Sequence, residues 1–332
     1  MPTINDVAKH AQTSISSVSR VLNNSGYVRE EVRRRVLKAV EELQYNPNAL
    51  ARGLIKNKSN TIGLILPDIL NPFFAHVARG VEDTARSYGY NVFLCNTDGS
   101  IEIENQYLKV LEQKRVDGII YAASQRGSQL IAKLKDKGTP LVVLDRQIEC
   151  VDIDTVHINN YQGAYMAVNY LVSLGHRKIA FIGGPKDIQS AVNRENGYRE
   201  ALQAHGLVID EDLIKYGDFR YEGGYEGAGM LLAGKKAFSA LFSANDMMAI
   251  GAINRFVEAG IKVPDDISIV GFDDIPFAKL IVPQLTTIAQ PIQDMSRIAA
   301  ELLLEQIEGE KKSSREVILL PKLVKRKTCK EV

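Results

Sequence analysis

The chain has 332 residues, 45% of them hydrophobic and 24% charged, with a formal net charge of +1. That length suggests two or three domains with ample core material, and the composition excludes a disordered chain. No apolar run approaches the ~20 residues of a membrane helix and the polar start is unlike a signal peptide, so a cytoplasmic protein without a membrane partner is expected.

The small net charge hides an uneven distribution. Residues 1–58 hold ten lysines and arginines against five acids, a charge of +5, whereas the other 274 residues hold 31 against 35, or −4. Affinity for a polyanion is therefore concentrated at the N-terminus. Cys95, Cys150 and Cys329 are odd in number and far apart, as expected of inert thiols in a reducing compartment. The five histidines have no metal-ligand spacing, and neither metal nor cofactor is expected.

In chain order, Thr3 with Asp6 reads as a capping box, and Ile4, Val7, Ala8 and Ala11 mark one face of a helix over 4–11. Ser14 is the next N-cap candidate. Val18, Val21 and Leu22 give the second helix an apolar back, opposite Ile15, Ser16, Ser17, Ser19, Arg20 and Asn23. Two short helices across a tight turn form a helix-turn-helix, and short hydroxyls, one arginine and one amide suit a major-groove reader; a helical cap on an enzyme is the alternative. A third helix over 29–43 presents Val32, Val36, Leu37, Val40 and Leu43 on one side. Pro47 then opens an Ala/Leu-rich segment too short to be stable alone, a conditional hinge helix, before the polar linker 56–60.

From Thr61 the pattern alternates between strand and helix. Strands are predicted at 61–66, 91–97, 118–122 and 140–144, with helices at 72–88, 102–114 and 129–137. A second series starting near Tyr161 has strands at 178–182, 240–243 and 268–271 and helices at 196–204, 223–232 and 249–259. Continuous aliphatic strands between helices imply two parallel sheets covered on both faces. Ligands of such sheets bind beyond the carboxyl ends of strands, in the cleft between them. Asn71, Phe73, Phe74, Asp145, Arg146, Arg194, Phe219, Asn245, Asp273 and Gln290 are the candidates there. Carboxylates, guanidinium groups and amides suit vicinal hydroxyls, and phenylalanine faces cover a sugar's C–H surface. Taken singly, Asp145 and Arg146 also suit a structural ion pair, and Phe73 and Phe74 a helix core.

With these segments read, the chain resembles the lactose-repressor (LacI) family of bacterial transcription regulators over nearly its whole length. The resemblance rests on residues 4–23, on Tyr45-Asn46-Pro47-Asn48-Ala49-Leu50-Ala51, Asn71-Pro72-Phe73-Phe74, Leu174-Gly175-His176-Arg177-Lys178-Ile179-Ala180, Val263-Pro264-Asp265-Asp266 and Val270-Gly271-Phe272-Asp273-Asp274. Gln12 departs from it, where the family often has glycine. The resemblance implies an α/β fold: a three-helix head with a hinge helix, then two doubly wound parallel-sheet subdomains of the periplasmic-binding-protein type. The expected boundaries are a head over 1–46, a hinge and linker over 47–60, and an effector and dimerisation domain over 61–332. Within that domain one subdomain takes 61–159 and 291–321, the other 160–290 and 322–332.

It also implies a homodimer reading a pseudo-palindromic double-stranded operator. Ile15, Ser16 and Arg20 are expected at base edges and Thr3, Ser14, Ser19, Asn23 and Tyr45 on phosphates, with Ser17 also on the DNA-binding face. On the hinge, Asn48, Ala51 and Leu54 are the expected contacts, Leu54 as a minor-groove wedge or else as linker packing. In the resembling ribose-binding proteins and ribose repressors the ten cleft residue types line a pentose site, which points to D-ribose as a small-molecule effector that releases DNA. Another pentose, a sugar phosphate and a phosphocarrier co-repressor remain alternatives within the family, as does a sugar-modifying or sugar-carrying α/β protein outside it. No nucleophile elbow or phosphate loop is present, which opposes an enzyme. The chain ends in a basic, strand-like 321–327 rather than a leucine heptad, favouring a dimer over a tetramer.

Overall fold

A computed structural model describes residues 2–23, 25–45, 58–122, 128–145, 153–310 and 313–332. The chain divides into two units, Met1–Ser59 and Asn60–Val332. In the first, α1 (Ile4–His10) begins where Thr3 and Asp6 close the capping box. The helix α2 (Ile15–Leu22) begins where Ser14 accepts a hydrogen bond from the Ser17 amide. The turn between them places Gln12 at φ +48°. That left-handed position is one glycine fills without cost, so this chain accepts mild strain where the family often has glycine.

The third helix, α3 (Glu30–Glu42), completes a small core of Val7, Ala8, Ala11, Val18, Val21, Val36 and Ala39. Leu37, expected in that core, is 51% exposed. Val32, Val36, Ala39, Val40 and Leu43 fill the buried stripe, and Leu37 lies 100° beyond Val36 around the helix.

The second unit holds two six-stranded sheets. In chain order the first part runs β1 (Thr61–Leu66), α4 (Pro72–Ser87), β2 (Asn91–Asn96), α5 (Ile101–Lys114), β3 (Gly118–Tyr121), α6 (Ser128–Asp136), β4 (Leu141–Leu144) and β5 (Asp154–Ile158). The second part runs α7 (Asn160–Ser173), β6 (Ile179–Gly183), α8 (Gln189–Ala204), β7 (Ile214–Tyr216), α9 (Tyr221–Ala233), β8 (Ala240–Ser243), α10 (Asp246–Glu258), β9 (Ser268–Asp273), α11 (Phe277–Leu280) and β10 (Thr286–Ala289). The chain then returns through α12 (Ile292–Ile307) and β11 (Glu316–Leu319) to end near β12 (Lys322–Val324).

The first sheet has the order β11-β5-β4-β3-β1-β2 and is parallel throughout. The second has the order β12-β10-β9-β8-β6-β7, parallel except for β12, which pairs antiparallel with β10 from Thr287↔Val324 to Ala289↔Lys322. The strand-like tail is thus an antiparallel edge, a correction to the all-parallel expectation. Inner strands such as β3, β4 and β8 are buried at every residue, because helices cover both faces. At the edge, β2 instead exposes Phe93 and Leu94.

Three segments connect the sheets: after β5, between β10 and α12, and between β11 and β12. The helix α12 packs on α4 and on β3, β4 and β5, so a segment late in the sequence belongs to the first sheet's layer. The pair α9 and α10 crosses so closely that a Cβ on Gly224 would collide with the Met248 carbonyl and one on Gly251 with the Tyr221 carbonyl. Several expected boundaries move. The helix predicted over 196–204 starts at Gln189, and β5, β7, β10, β11 and α12 had no predicted counterpart. Among the described residues no helix is long and apolar enough to cross a membrane.

Candidate functional site

The head presents α2 with its apolar back inward and Ser14, Ile15, Ser16 and Arg20 exposed. Arg20 forms no ion pair among the described residues, so its guanidinium is available for a base edge or a phosphate. Ile15 is 49% exposed, a position that suits contact with a thymine methyl. The hydroxyl of Ser14 lies 2.8 Å from that of Ser16 and 2.9 Å from that of Ser17, a small cluster at the helix start. Thr3 donates its hydroxyl to Asp6 at 2.7 Å. Asn23 donates to Ser19 at 3.2 Å, and both are part-buried, so they are less open to phosphate than the sequence suggested. Tyr45 packs its ring on the head core. Tyr27, which the sequence reading passed over, is 87% exposed just after the left-handed Gly26 that follows α2. The signal was a large aromatic beside a glycine turn. Asn48, Ala51 and Leu54 lie outside the described residues.

Within the second unit, nine of the ten cleft candidates line one pocket: Asn71, Phe73, Phe74, Asp145, Arg194, Phe219, Asn245, Asp273 and Gln290. The tenth, Arg146, lies outside the described residues. The pocket also includes Ser190, and its side chains close around a cavity of about 30 Å³. Ser190 was missed because helix α8 starts two turns earlier than predicted. Ser190 and Arg194, four apart on that helix, share a face.

Strand ends and helix starts deliver these side chains. Asn71 caps α4 by accepting the Phe73 amide at 3.0 Å, which sets Phe73 and Phe74 in the first turn, edge to face with centroids 4.9 Å apart. Asn245 caps α10 by accepting from the Met248 amide at 2.9 Å and donates to the Phe219 carbonyl at 2.7 Å. Its amide is therefore engaged at both ends, and its main effect is to hold Phe219.

Asp145, Phe219 and Asp273 all have positive φ, at +64°, +68° and +116°. Non-glycine residues persist there only when the surroundings impose it, and such outliers gather at functional sites. The Phe219 ring packs against Gly184 in space that a Cβ there would fill.

Arg194 is buried and held on four sides. Its Nε donates to Asn160 Oδ1 at 2.8 Å and its Nη1 to the Ala244 carbonyl at 2.5 Å. The guanidinium lies over the Phe272 ring, 3.8 Å from its centroid, and 3.5 Å from Asp273. Gln290 donates to Asp273 at 2.7 Å, while its own Oε1 is buried without a hydrogen-bond partner among the described residues. Burial pushes the Asp273 carboxyl up to about 7, against the opposing pull of Arg194 and the Gln290 bond, and the Asp145 carboxylate pushes the same way as burial. Just behind it, Asp246 is buried beneath Thr287 and the Ile275 amide, and burial together with Asp273 raises its carboxyl well above the ordinary range.

At the rim, Arg220 donates to Asp68 from Nε at 3.0 Å, with Nη2 at 2.9 Å, joining the loop after β1 to the start of α9. The pocket thus combines acceptors on Asp145, Asp273 and Gln290, donors on Arg194 and Asn71, and phenyl walls. That set complements a small polyhydroxylated molecule.

Comparison with known proteins identifies the family of both units. Residues 3–48 match the model of bacterial regulatory proteins of the lacI family, and residues 59–327 that of periplasmic binding proteins and the sugar-binding domain of the LacI family. The ribose operon repressor of Halalkalibacterium halodurans is 40% identical over 330 residues, covering 99% of this chain and 98% of that protein. The transcriptional repressor PurR of Photobacterium profundum is 37% identical over 333 residues, covering 100% of both. A lac repressor dimer solved with operator and an anti-inducer superposes with a TM-score of 0.89 at 29% identity, covering 98% of each chain. A helix-turn-helix head followed by a two-sheet ligand-binding unit, matched by family models over nearly all of its length, places this chain in the LacI family as a DNA-binding transcriptional repressor.

Proposed function

We propose that the protein represses transcription in the cytoplasm as a homodimer on a pseudo-palindromic operator, and that D-ribose bound in the cleft releases it from DNA. The head over 1–46 reads the operator through Ile15, Ser16 and Arg20, with Ser17 on the same DNA-binding face and Thr3, Ser14, Ser19, Asn23 and Tyr45 toward phosphates. The hinge over 47–60 adds Asn48, Ala51 and the wedge Leu54, and residues 61–332 form the effector and dimerisation domain. Within it, 61–159 with 291–321 and 160–290 with 322–332 are the two halves that close on the ligand.

The observation that carries the effector reading is the pocket itself. Two carboxylates, an open amide oxygen and one arginine surround a small space between phenyl rings, and vicinal hydroxyls satisfy all of them at once. A phosphorylated sugar brings a charge that Asp145 and Asp273 repel. The similarity to a ribose operon repressor supports the same choice. For the dimer, the support is apolar surface on a single unit: Phe93 and Leu94 on the β2 edge, Leu280 at the end of α11 and Val282 just after it.

A ligand can shift the repressor only by binding its two cleft states differently, and closure that changes the spacing of paired hinges accounts for release. The test is a thermal-shift series with D-ribose, other pentoses, hexoses, purines and ribose 5-phosphate. A ligand present at 100 times its Kd stabilises by about 2.7 kcal/mol, a clear rise in melting temperature. D-Ribose is expected to give that rise. A rise with a purine or a sugar phosphate and none with D-ribose would replace it as effector. Tighter DNA binding in the presence of D-ribose would keep the site and reverse the sign.

A further inference from the structure

We infer that Asn160 is a positioning residue that orients the pocket guanidinium of Arg194 and ties it to the segment on which the two halves of the cleft turn. This deepens the effector reading and rests on it. Asn160 is buried at the first residue of α7, immediately after the chain leaves β5 of the first sheet for the second. Its Oδ1 accepts the Arg194 Nε–H at 2.8 Å from 34 residues away. Arg194 Nη1 is fixed by the Ala244 carbonyl at the end of β8, and the ring of Phe272 lies beneath the plane. With two edges and one face held, a guanidinium has one orientation, and its remaining N–H groups have a set direction. Deleting the Asn160 acceptor strands a buried Nε–H, whose desolvation is no longer offset, so the plane turns to find another partner.

The second connecting segment does the same for the opposite charge. Gln290, between β10 and α12, donates to Asp273 Oδ1 at 2.7 Å, and its backbone N–H donates to the Asp273 carbonyl at 3.3 Å. The arginine and the acid of the pocket are thus each bonded to a residue in a segment linking the sheets. A ligand that pulls on either group acts directly on those segments, with no intervening element needed. Asn160 differs from Gln290 in not lining the pocket, so its substitution removes the coupling without removing a ligand contact.

The experiment compares full-length wild type, Asn160→Ala and Asn160→Asp, the last of which keeps an acceptor of the same shape. D-Ribose affinity is measured by calorimetry. The Arg194 Nε–H is followed by nitrogen-correlated NMR, assigned through its loss in Arg194→Lys. Hydrogen exchange is measured at residues 158–163 and 289–292. The expected result in Asn160→Ala is at least a tenfold weaker affinity, loss of the slowly exchanging Arg194 Nε–H, and no slowing of exchange at 158–163 when D-ribose is added. Asn160→Asp is expected to restore the Nε–H signal and an affinity within about threefold of wild type. If Asn160→Ala does not fold, Asn160→Ser withdraws the acceptor with a smaller change and takes its place.

D-Ribose affinity within twofold of wild type in Asn160→Ala, or no rescue by Asn160→Asp, overturns the assignment. If wild type itself does not respond to D-ribose, the effector reading fails separately, and the Arg194 Nε–H signal decides alone. Its loss in Asn160→Ala and return in Asn160→Asp upholds the role of Asn160, and its persistence in Asn160→Ala overturns it.

Discussion

The head and the cleft hold their polar groups in opposite ways. Along the DNA-reading face of the head the bonds are short in sequence and near the surface, Thr3 with Asp6, Ser14 with Ser17 and the part-buried Ser19 with Asn23, and the longer His10–Glu42 bond between α1 and α3 is exposed as well. In the cleft they are buried and distant: Arg194 bonds 34 residues back to Asn160 and 50 forward to Ala244, and Asn245 reaches 26 back to Phe219. A DNA-reading surface keeps its donors hydrated until the polyanion replaces the water, and its affinity then depends on salt. A pocket fixes its groups in advance, so each is costly to strand and informative when touched.

The largest expected effect tests the buried side of that contrast. Arg194→Met leaves Asp273, Asn160 and the Ala244 carbonyl without their shared donor, and breaking one side of a buried pair costs about 3–5 kcal/mol. Urea unfolding of the unliganded protein measures that loss, and calorimetry should show D-ribose binding weakened by a factor of about 100 or more. Stability within ~1 kcal/mol of wild type would mean the cluster relaxes around the gap, and that the cleft is less rigid than its hydrogen bonds imply. On the hydrated side, Arg20→Ala should lower the preference for a selected operator over random DNA by about 1–3 kcal/mol if the guanidinium reads a base. Equal losses on both DNAs would move Arg20 to the phosphate backbone.

The same contrast explains what the chain disclosed before it was folded. The capping box at Thr3, the cap at Ser14 and the apolar back of α2 are local patterns, and the structure has each of them. The buried strands β1, β3, β4, β8 and β9 were equally legible, since continuous aliphatic runs mark a sheet covered on both faces. Asn71, Phe73, Phe74, Asp145, Asn245 and Asp273 were legible because parallel sheets bring the residues after successive strands to one end, whereas Arg194 and Phe219 follow no strand read from the sequence and came with the family resemblance. Ser190 escaped because the polar start of α8 hid its first two turns. Asn160 escaped because a lone asparagine beside a helix cap carries no sign of a bond to residue 194. The helix α12 did not announce itself, and the strand-like 321–327 did not disclose its antiparallel pairing with β10; which half each late segment joins came from the family resemblance, because it is settled by tertiary packing.

A third test uses protons. Asp273 has a pKa of about 7 in the folded protein against an ordinary 3.8, so between those values the folded chain retains a proton that the unfolded chain has lost. Its contribution to stability is full below about pH 4 and declines as pH rises toward 7, and Asp246 is shifted in the same direction. The unliganded protein should therefore melt at a lower temperature at pH 8 than at pH 6. Ligand hydroxyls donate best to the ionised carboxylate, so D-ribose affinity should move the other way, rising about tenfold from pH 6 to pH 8 for a single group titrating near 7. Asp273→Asn should flatten the affinity trend and reduce the melting trend, of which the buried Asp246 keeps a share. If wild-type affinity is level across that range, Asp273 does not accept from the ligand.

The smallest effect belongs to a contact that lies in the pocket's half of the molecule but follows the head's rules. Asp68 and Arg220 join across the cleft rim, and both are stiffened locally: Asp68 Oδ1 accepts the Leu70 amide at 3.0 Å, and the Arg220 amide donates to Asp218 at 2.9 Å. Arg220 is about half exposed, so water and salt screen the pair, and a bond of this kind is worth about 0–1 kcal/mol. Since it links the two halves of the cleft, that energy biases closure. Arg220→Ala should speed D-ribose dissociation by up to about fivefold at low ionic strength and by almost nothing in 1 M salt, where the screening length falls to ~3 Å. Stopped-flow measurement of the release rate against salt separates the outcomes. A loss that persists in high salt would show that Arg220 acts by packing beside Phe219, and would move the rim from the hydrated class of contacts to the buried one.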